Sequence, residues 1–255
     1  MISSDKHVQF PIGIEIWSKG IELLLELVAQ RTQSGETTHI VTLNPLMVMS
    51  LKNDMEFWNA VKSADFVVAD GVGIKWAIKK LHGIDVPLIP GIELSERLIR
   101  LSAQKGWGVG LLGARPDIRE KAERKLSGNF PNLIFTGGHH GYYQKEEESM
   151  IVEKLSNSGL KLFLVGMGFP KQEKFLGQYR ENFKGAVLMG VGGSLDVFAG
   201  EVVRAPEVFR KLGIEWLWRM VREPRRLANV FTLLRFWWMV KTKNRYLVGN
   251  HVNVC

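Results

Sequence analysis

The sequence predicts an α/β fold in which a mostly parallel sheet is flanked by helices. Two observations lead to this prediction. Short apolar runs alternate at least five times with longer helical patterns, and such runs lack the polar alternation of a half-exposed strand, which indicates strands covered on both faces. Several runs also end in a polar or glycine-rich corner. The clearest is 66–69, which ends at Asp70-Gly71 before a helix predicted over 74–81.

The elements follow one another without a linker, a repeat or a low-complexity tract. The predicted strands are 12–17 (a strand or hairpin arm), 39–43, 66–69, 107–112, 133–136, 160–165 and 186–189. The predicted helices are 19–33, 46–51, 55–61, 74–81, 92–105, 116–126, 146–156 and one beginning at Lys171. After Gly200 only helical patterns remain. We therefore predict an α/β core over 1–200 and a helical appendage over 201–255.

Composition limits the class of protein. The chain has 255 residues, of which 45% are hydrophobic and 24% charged, as in ordinary globular proteins. Its single cysteine, Cys255, can form no intrachain disulfide and no cysteine-based zinc site, so a reducing cytosol is the default expectation. The first ten residues lack the apolar core of a signal peptide, and no run of about 18 apolar residues predicts a membrane-spanning helix.

The positive charge is concentrated near the end of the chain. Eleven Lys and Arg residues and three acids lie within 204–245, which equals the whole formal net charge of +8. A basic segment of this kind is typical of proteins that meet phosphate substrates, acidic lipid or nucleic acid.

Glycine-rich corners follow three predicted strands, after Val68, Val165 and Met189. Backbone N–H groups at such corners, together with helix N-termini, bind phosphate, and glycine allows the ligand to approach. Thr42 and Asn44 end a fourth strand. Four polar strand ends predict a nucleotide or nucleotide-sugar site, whose corner residues would include Gly71, Gly190, Gly192 and Gly193.

Helix capping is the alternative role for several of these residues. Asp70 would then only accept N–H groups of the helix that follows it. Gln172 and Glu173 fall in the first turn of a predicted helix, where an acid is favoured by the helix dipole. In the functional interpretation, Gln172 instead hydrogen-bonds a substrate hydroxyl or phosphate.

Three other motifs carry less weight. The run 108–113 has the letters of a dinucleotide fingerprint, but its first glycines fall inside a predicted strand and no acidic residue ends a second strand about 20 residues later. No Asp-x-Asp pair occurs, so the usual metal-binding motif for a sugar diphosphate is absent from the sequence. Adjacent His139 and His140 do not share a helix face, and we predict that they lie in a loop.

The appendage combines arginines with aromatic residues. A solvated basic face is the alternative to anion binding, but the interleaved Trp216 and Trp218 favour a bound partner. Three of the arginines have helical spacing, although Pro224 falls between the last two. The basic residues of interest are Arg204, Arg219, Arg222 and Arg226.

A helix predicted over 227–240 is apolar on almost all sides. Fourteen residues are too few to cross a bilayer, and this length is typical of a core helix or an interfacial helix. Aromatic residues flanked by Arg235, Lys241 and Lys243 fit an anionic membrane surface. The alternative is packing against its own domain or against a second subunit of a homo-oligomer.

Taken together, these motifs resemble the bacterial WecG/TagA/CpsF glycosyltransferases. The resemblance covers about residues 8–245, and the matching pieces occur in the family's order. They are Thr42-x-Asn44, Ala69-Asp70-Gly71, Gly166-Met167-Gly168-x-Pro170-Lys171-Gln172-Glu173, Gly190-Val191-Gly192-Gly193 with Asp196 and Gly200, Arg204-Ala205-Pro206, and Glu215-Trp216-x-x-Arg219 with Glu223-Pro224-x-Arg226.

The resemblance implies a Rossmann-like fold of the family's own topology and an inverting hexosyltransferase. It implies transfer of N-acetylmannosamine, or a related sugar, from a UDP-sugar to N-acetylglucosamine on undecaprenyl diphosphate, as in teichoic acid or related surface-glycan synthesis. It also implies a cytoplasmic enzyme held peripherally at the inner face of the plasma membrane, with the appendage completing its site. One departure is that 87–90 lacks the arginine that many members have before the glycine matching Gly91, so we expect one diphosphate contact to be missing.

The residues then receive hypothetical roles. Asp70 is the general base, Thr42 and Asn44 hold a sugar, Gln172 and Glu173 lie at the substrate, and the 190–193 corner holds the uridine or diphosphate. The appendage arginines neutralise the diphosphate, so neither a metal nor another cofactor is expected.

Two rival classes are an NAD-dependent oxidoreductase and a non-enzymatic RNA-binding module. Nucleic acid is not an expected partner in the favoured interpretation.

Overall fold

The computed structural model describes residues 7–10, 12–206, 209, 218 and 228–242. The predictions for Arg219, Arg222 and Arg226, and for Trp216, lie outside these residues. In the described part of the chain, a six-stranded, all-parallel sheet is covered by helices on both faces, which confirms the predicted fold class.

The sheet has the strand order β4-β3-β8-β7-β5-β6, and a separate antiparallel hairpin, β1-β2, precedes it in the chain. The central strands are continuous apolar runs because helices cover both of their faces. The strands are β1 (His7–Phe10), β2 (Ile14–Trp17), β3 (Thr38–Leu43), β4 (Phe66–Ala69), β5 (Gly108–Gly113), β6 (Ile134–His139), β7 (Leu160–Gly166) and β8 (Val187–Gly190).

The described helices include a short α9, which the sequence analysis did not predict. Pro45 and Pro116 occupy the first positions of α2 and α6, where proline is tolerated because it lacks an N–H group. The helices are α1 (Ile21–Gln33), α2 (Pro45–Leu51), α3 (Met55–Lys62), α4 (Val72–His82), α5 (Gly91–Lys105), α6 (Pro116–Asn129), α7 (Glu148–Ser156), α8 (Lys171–Tyr179), α9 (Ser194–Phe198) and α10 (Asn229–Thr242).

Two strand predictions were wrong in extent. The opening strand predicted over 12–17 begins at Ile14 and is the second arm of a hairpin whose first arm, β1, was missed. The strand predicted over 133–136 runs from Ile134 to His139, so His139 ends a strand and does not lie in a loop. Gly137 and Gly138 obscured this strand because glycine is depleted in strands.

The core has a separate apolar layer on each face of the sheet. Helices α1, α5, α6 and α9 cover one face. On the other face, the β1-β2 hairpin with α2, α3, α4 and α10 covers the β3-β4 side, and α7 and α8 cover the β7-β8 side.

Helix α10 packs on this core through one side only. Phe236, Met239 and Val240 are buried against α2 and α4. The opposite side exposes large apolar side chains, including Phe231, with 75% of its surface accessible, and Trp238, with 52%. The alternative of packing on its own domain therefore holds for one side of the helix, and the other side is exposed. None of the helices in the described part of the chain has the length and hydropathy that a bilayer span requires.

Candidate active site

The strand register brings the predicted polar corners to one edge of the sheet. Leu43 pairs with Ala69, so Asn44 and Asp70 leave their strands side by side. Val165 pairs with Gly190 in the same direction, and β8 also pairs with β3. In a parallel sheet, ligands bind outside the carboxyl ends of the strands. The structure thus places the four predicted corners along a single edge.

Asp70 is held at this edge by backbone hydrogen bonds. Its N–H donates to the carbonyl oxygen of Leu43 at 2.9 Å, and the N–H of Ile89 donates to the carbonyl of Ala69 at 3.0 Å. Gly71, with a φ of 88°, is the N-cap residue of α4 and turns the chain away from the strand. The Asp70 side chain is half-buried, so it has a fixed backbone and partial access from solvent.

Asn44 and Thr42 lie on the neighbouring strand. The Oδ1 atom of Asn44 accepts hydrogen bonds from the N–H groups of Leu46 and Met47 at 3.0 and 3.1 Å, which caps α2. Any ligand contact by Asn44 would therefore use its Nδ2 group, because Oδ1 already has two donors.

The start of α5 also belongs to this site, next to the 87–90 stretch where the family resemblance predicts a missing diphosphate contact. A Cβ atom built on Gly91 would lie 3.1 Å from Oγ1 of Thr42, so the helix begins directly against that side chain. The positive end of a fifteen-residue helix thus lies beside Thr42. In the sequence, Pro90-Gly91 indicated this arrangement. Proline marks the start of a new helix there, and glycine allows another side chain to approach the backbone closely.

Gln172 joins the corners that follow β7 and β8. Its Oε1 atom accepts from the N–H of Gly192 at 2.9 Å and from the N–H of Gly168 at 3.1 Å. Its Nε2 atom donates to Oε1 of Glu173 at 2.7 Å. An amide nitrogen carries two hydrogens, so the bond to Glu173 uses only one of the two N–H groups of Gln172.

Glu173 is more deeply buried than the sequence suggested. Only 2% of its surface is accessible, against 5% for Gln172. Burial raises the pKa of Glu173 to about 7, although the hydrogen bonds from Gln172 and from its own backbone favour the charged form. Its Oε2 atom is buried and has no hydrogen-bond partner among the described residues.

Several corner glycines are required by close packing. A Cβ atom on Gly190 would lie 2.5 Å from Nε2 of Gln172, and one on Gly166 would lie 2.8 Å from the carbonyl oxygen of Gly192. Gly113 approaches the backbone of Gly166 even more closely. These contacts give the glycines a structural role in addition to the predicted phosphate binding, which stays a prediction.

Two observations concern the part of the chain after the last strand. Arg204 contacts α5 through Glu96, with Nη1 and Oε2 3.4 Å apart. On α10, the ring of Phe236 lies 3.7 Å from a Cβ atom built on Gly73. The tail therefore reaches the helix that follows Asp70, an arrangement that sequence periodicity alone did not reveal.

The other sequence motifs fall elsewhere. Residues 108–113 form the whole of β5, so the fingerprint glycines lie inside a strand as predicted and do not form a dinucleotide turn. His139 and His140 contact each other, with Nδ1 of His139 2.8 Å from the carbonyl oxygen of His140. Within the described ranges, no group of three or more His, Cys, Asp or Glu side chains has the arrangement of a metal site.

Comparison with known proteins identifies the family. Residues 10–247 match the profile of the Glycosyl transferase WecG/TagA/CpsF family. The chain belongs to this family. The resemblance carried by the corner motifs is thereby confirmed, and the family's glycosyl transfer chemistry argues against the NAD-dependent oxidoreductase.

Curated relatives agree with this family assignment. The chain is 36% identical over 216 residues to the N-acetylglucosaminyldiphosphoundecaprenol N-acetyl-beta-D-mannosaminyltransferase of Staphylococcus aureus strain MW2. The match covers 84% of this chain and 83% of the relative. The proteins of the same name from strains NCTC 8325 and COL show the same identity and coverage.

Proposed function

We propose that this glycosyltransferase moves N-acetylmannosamine, or a related sugar, from a UDP-sugar to N-acetylglucosamine on undecaprenyl diphosphate, with inversion, in teichoic acid or related surface-glycan synthesis. The single observation that carries the proposal is the placement of Asp70 beside Asn44 at the carboxyl ends of paired strands in a chain of this family. The names of the Staphylococcus aureus relatives support the choice of sugars and carrier.

Asp70 is the proposed general base. The acceptor hydroxyl oxygen attacks the anomeric carbon from the side opposite UDP, the bond from that carbon to the UDP oxygen breaks, and a carboxylate within hydrogen-bond reach takes the hydroxyl proton. The fixed backbone of Asp70 supports this role, because a base must be held in position to be effective. Thr42 and the Nδ2 group of Asn44 would hold a sugar beside it.

The donor diphosphate is proposed to lie along the glycine corners. The N–H groups of the Gly71 and Gly190–Gly193 corners, the remaining N–H of Gln172 and the start of α5 would face it. Arg204 and, outside the described residues, Arg219, Arg222 and Arg226 would neutralise its charge. In this scheme UDP leaves without a metal ion, so we expect EDTA to leave activity unchanged.

The exposed side of α10 is the proposed membrane contact. Phe231, Leu234, Trp237 and Trp238 are exposed, and Lys241 lies over the ring of Trp237, 4.6 Å from its centroid. Aromatic side chains next to cationic ones are favoured at an anionic bilayer surface. A lipid-linked acceptor would then reach an enzyme that lies on the inner face of the plasma membrane.

Product analysis tests this function. The full-length protein is incubated with UDP-N-acetylmannosamine and a synthetic lipid diphosphate that carries N-acetylglucosamine, and the lipid product is analysed by mass spectrometry and NMR. We expect a disaccharide-lipid whose new linkage has inverted anomeric configuration. Absence of this product, with formation of one from another UDP-sugar in a donor panel, would reassign the donor; no product from any sugar would refute the proposal.

A further inference from the structure

The buried pair formed by Gln172 and Glu173 connects two corners of the candidate site. The Oε1 atom of Gln172 accepts hydrogen bonds from the N–H groups of both Gly168 and Gly192. These glycines follow different strands, β7 and β8, so a single side-chain atom joins the two corners. The proposed reaction has no step for the Glu173 carboxyl, although that group accepts a hydrogen bond from the Gln172 amide.

The orientation of the Gln172 amide decides whether it can act in this way. A flipped amide would present N–H donors to the N–H groups of Gly168 and Gly192, and both hydrogen bonds would be lost. The observed orientation is matched on the other side by Oε1 of Glu173, which accepts from Nε2 at 2.7 Å. The nitrogen is also in close contact with Gly190, since a Cβ atom there would lie 2.5 Å away.

A role in stability alone does not explain the carboxyl group of Glu173. Its Oε2 atom is buried, and no partner for it exists among the described residues. A buried oxygen atom without a hydrogen-bond partner destabilises a fold. An apolar side chain of similar length would avoid that cost, so stability does not account for a carboxyl at this position.

We propose that Glu173 is a positioning residue for the donor site. It acts through Gln172 by holding the amide so that one oxygen joins the corner N–H groups while the second nitrogen hydrogen is directed at the ligand. The proposal rests on the proposed function, because it takes the two corners to hold the donor diphosphate. It replaces the direct substrate contact predicted for Glu173 by an indirect one.

The test compares Glu173→Gln with Glu173→Met. Gln keeps an acceptor oxygen toward Nε2 of Gln172, whereas Met has a similar length and removes it. We expect Glu173→Met to raise the KM for the UDP-sugar about tenfold, the effect of one lost hydrogen bond, with a much smaller change in kcat. We expect Glu173→Gln to stay within about twofold of the wild-type KM. Glu153→Met, at an exposed position on α7, is the matched control and should leave KM unchanged.

Amide hydrogen exchange provides a readout that needs no substrate. In the full-length protein, Glu173→Met should speed exchange at the N–H groups of Gly168 and Gly192, while Glu173→Gln should preserve their protection. If Glu173→Met does not fold, Glu173→Asp takes its place, because the shorter carboxylate keeps the charge but withdraws the oxygen from Gln172.

Either of two results would overturn the positioning role. One is wild-type exchange at both glycines in the variant that lacks the acceptor oxygen. The other is equal impairment of Glu173→Gln and Glu173→Met, which would show that the charge and not the hydrogen bond matters. Failure of the proposed function would give a different result, because the wild-type protein would then release no UDP. The amide hydrogen exchange of Gly168 and Gly192 would still test the role of Glu173 in that case.

Discussion

The backbone N–H of Asp70 donates to the carbonyl oxygen of Leu43 at 2.9 Å. This bond extends the ladder of β3 and β4 by one residue beyond the end of β4, and it places Asp70 next to Asn44. The carboxyl therefore leaves the sheet at the same point as the side chains proposed to hold a sugar, which is the geometry that a general base requires.

Replacing Asp70 by Asn should remove most turnover and spare nucleotide binding. The amide has nearly the same shape but cannot take the acceptor proton, and loss of a general base typically slows a reaction by about 10²–10⁴-fold. Steady-state UDP release and calorimetric UDP binding measure the two effects. Asp85→Asn, at an exposed residue paired with Lys75, is the control. Near-normal turnover of Asp70→Asn would reject the base assignment.

A second prediction concerns the close packing of the corners. Gly190→Ala should destabilise the protein by about 1–3 kcal/mol, because the added methyl group would overlap Nε2 of Gln172. Gly128→Ala is the matched control, since nothing lies within 4 Å of its Cβ position in α6. Chemical denaturation should show a lowered midpoint for Gly190→Ala and an unchanged or raised one for Gly128→Ala. Equal midpoints would show that the corner is looser than described.

The two sides of α10 should respond differently to substitution. Trp238→Gln should weaken binding to anionic vesicles while leaving Tm nearly unchanged, because Trp238 is half-exposed. Phe236→Ala should lower the free energy of unfolding by about 3–5 kcal/mol, since that ring is only 3% exposed and packs against α2 and α4. Vesicle co-sedimentation and thermal melts measure these effects. Unchanged vesicle binding of Trp238→Gln would argue against the membrane contact.

Much of the fold followed from local patterns. The central strands β3, β4, β7 and β8 are buried on both faces, so their apolar runs stood out clearly. The edge strand β6 was cut short because Gly137 and Gly138 interrupt its pattern. Strand β1 was missed because His7-Val8-Gln9-Phe10 alternates polar and apolar residues and is not a continuous apolar run. Strand order was not predictable in this way, since it depends on contacts between residues far apart in the chain.

The site was predictable only in part, for a similar reason. The parallel arrangement implied that Thr42, Asn44 and Asp70 would meet at one edge, and the register confirms that they do. Burial of Glu173 and the approach of Gly91 to Thr42 depend on how helices dock against the sheet. A first-turn acid looks the same in sequence whether it faces solvent or the core, so its positioning role required the structure.

His39 should make stability depend on pH. Both ring nitrogens are buried and have no partner in the described parts of the chain, and burial, aided by the charge of Arg180 and opposed by that of Asp65, lowers the pKa of His39 to about 4. In the unfolded chain, the imidazole of His39 becomes protonated below about pH 6.5, whereas in the folded chain it stays neutral until about pH 4. The folded state therefore loses about 3 kcal/mol as pH falls from 6.5 to 4.

The comparison of wild type with His39→Met at each pH isolates this effect. Glu173 acts in the opposite direction, because its pKa is raised to about 7 and the folded state loses stability as pH rises from about 4.5 to 7. That contribution is common to both proteins and cancels in their difference. Unfolding curves between pH 4 and pH 7 should show that the free energy of unfolding of the variant, relative to that of the wild type, rises as pH falls. A constant difference would mean that His39 is not kept neutral by burial.

The most direct test of the central claim is UDP release from UDP-N-acetylmannosamine, measured with and without the lipid-diphosphate acceptor carrying N-acetylglucosamine. We predict that release by the wild-type protein depends on the acceptor and that Asp70→Asn removes most of this release while UDP still binds. Release that is independent of the acceptor, or no release from a protein that binds UDP, would contradict the proposed transfer reaction.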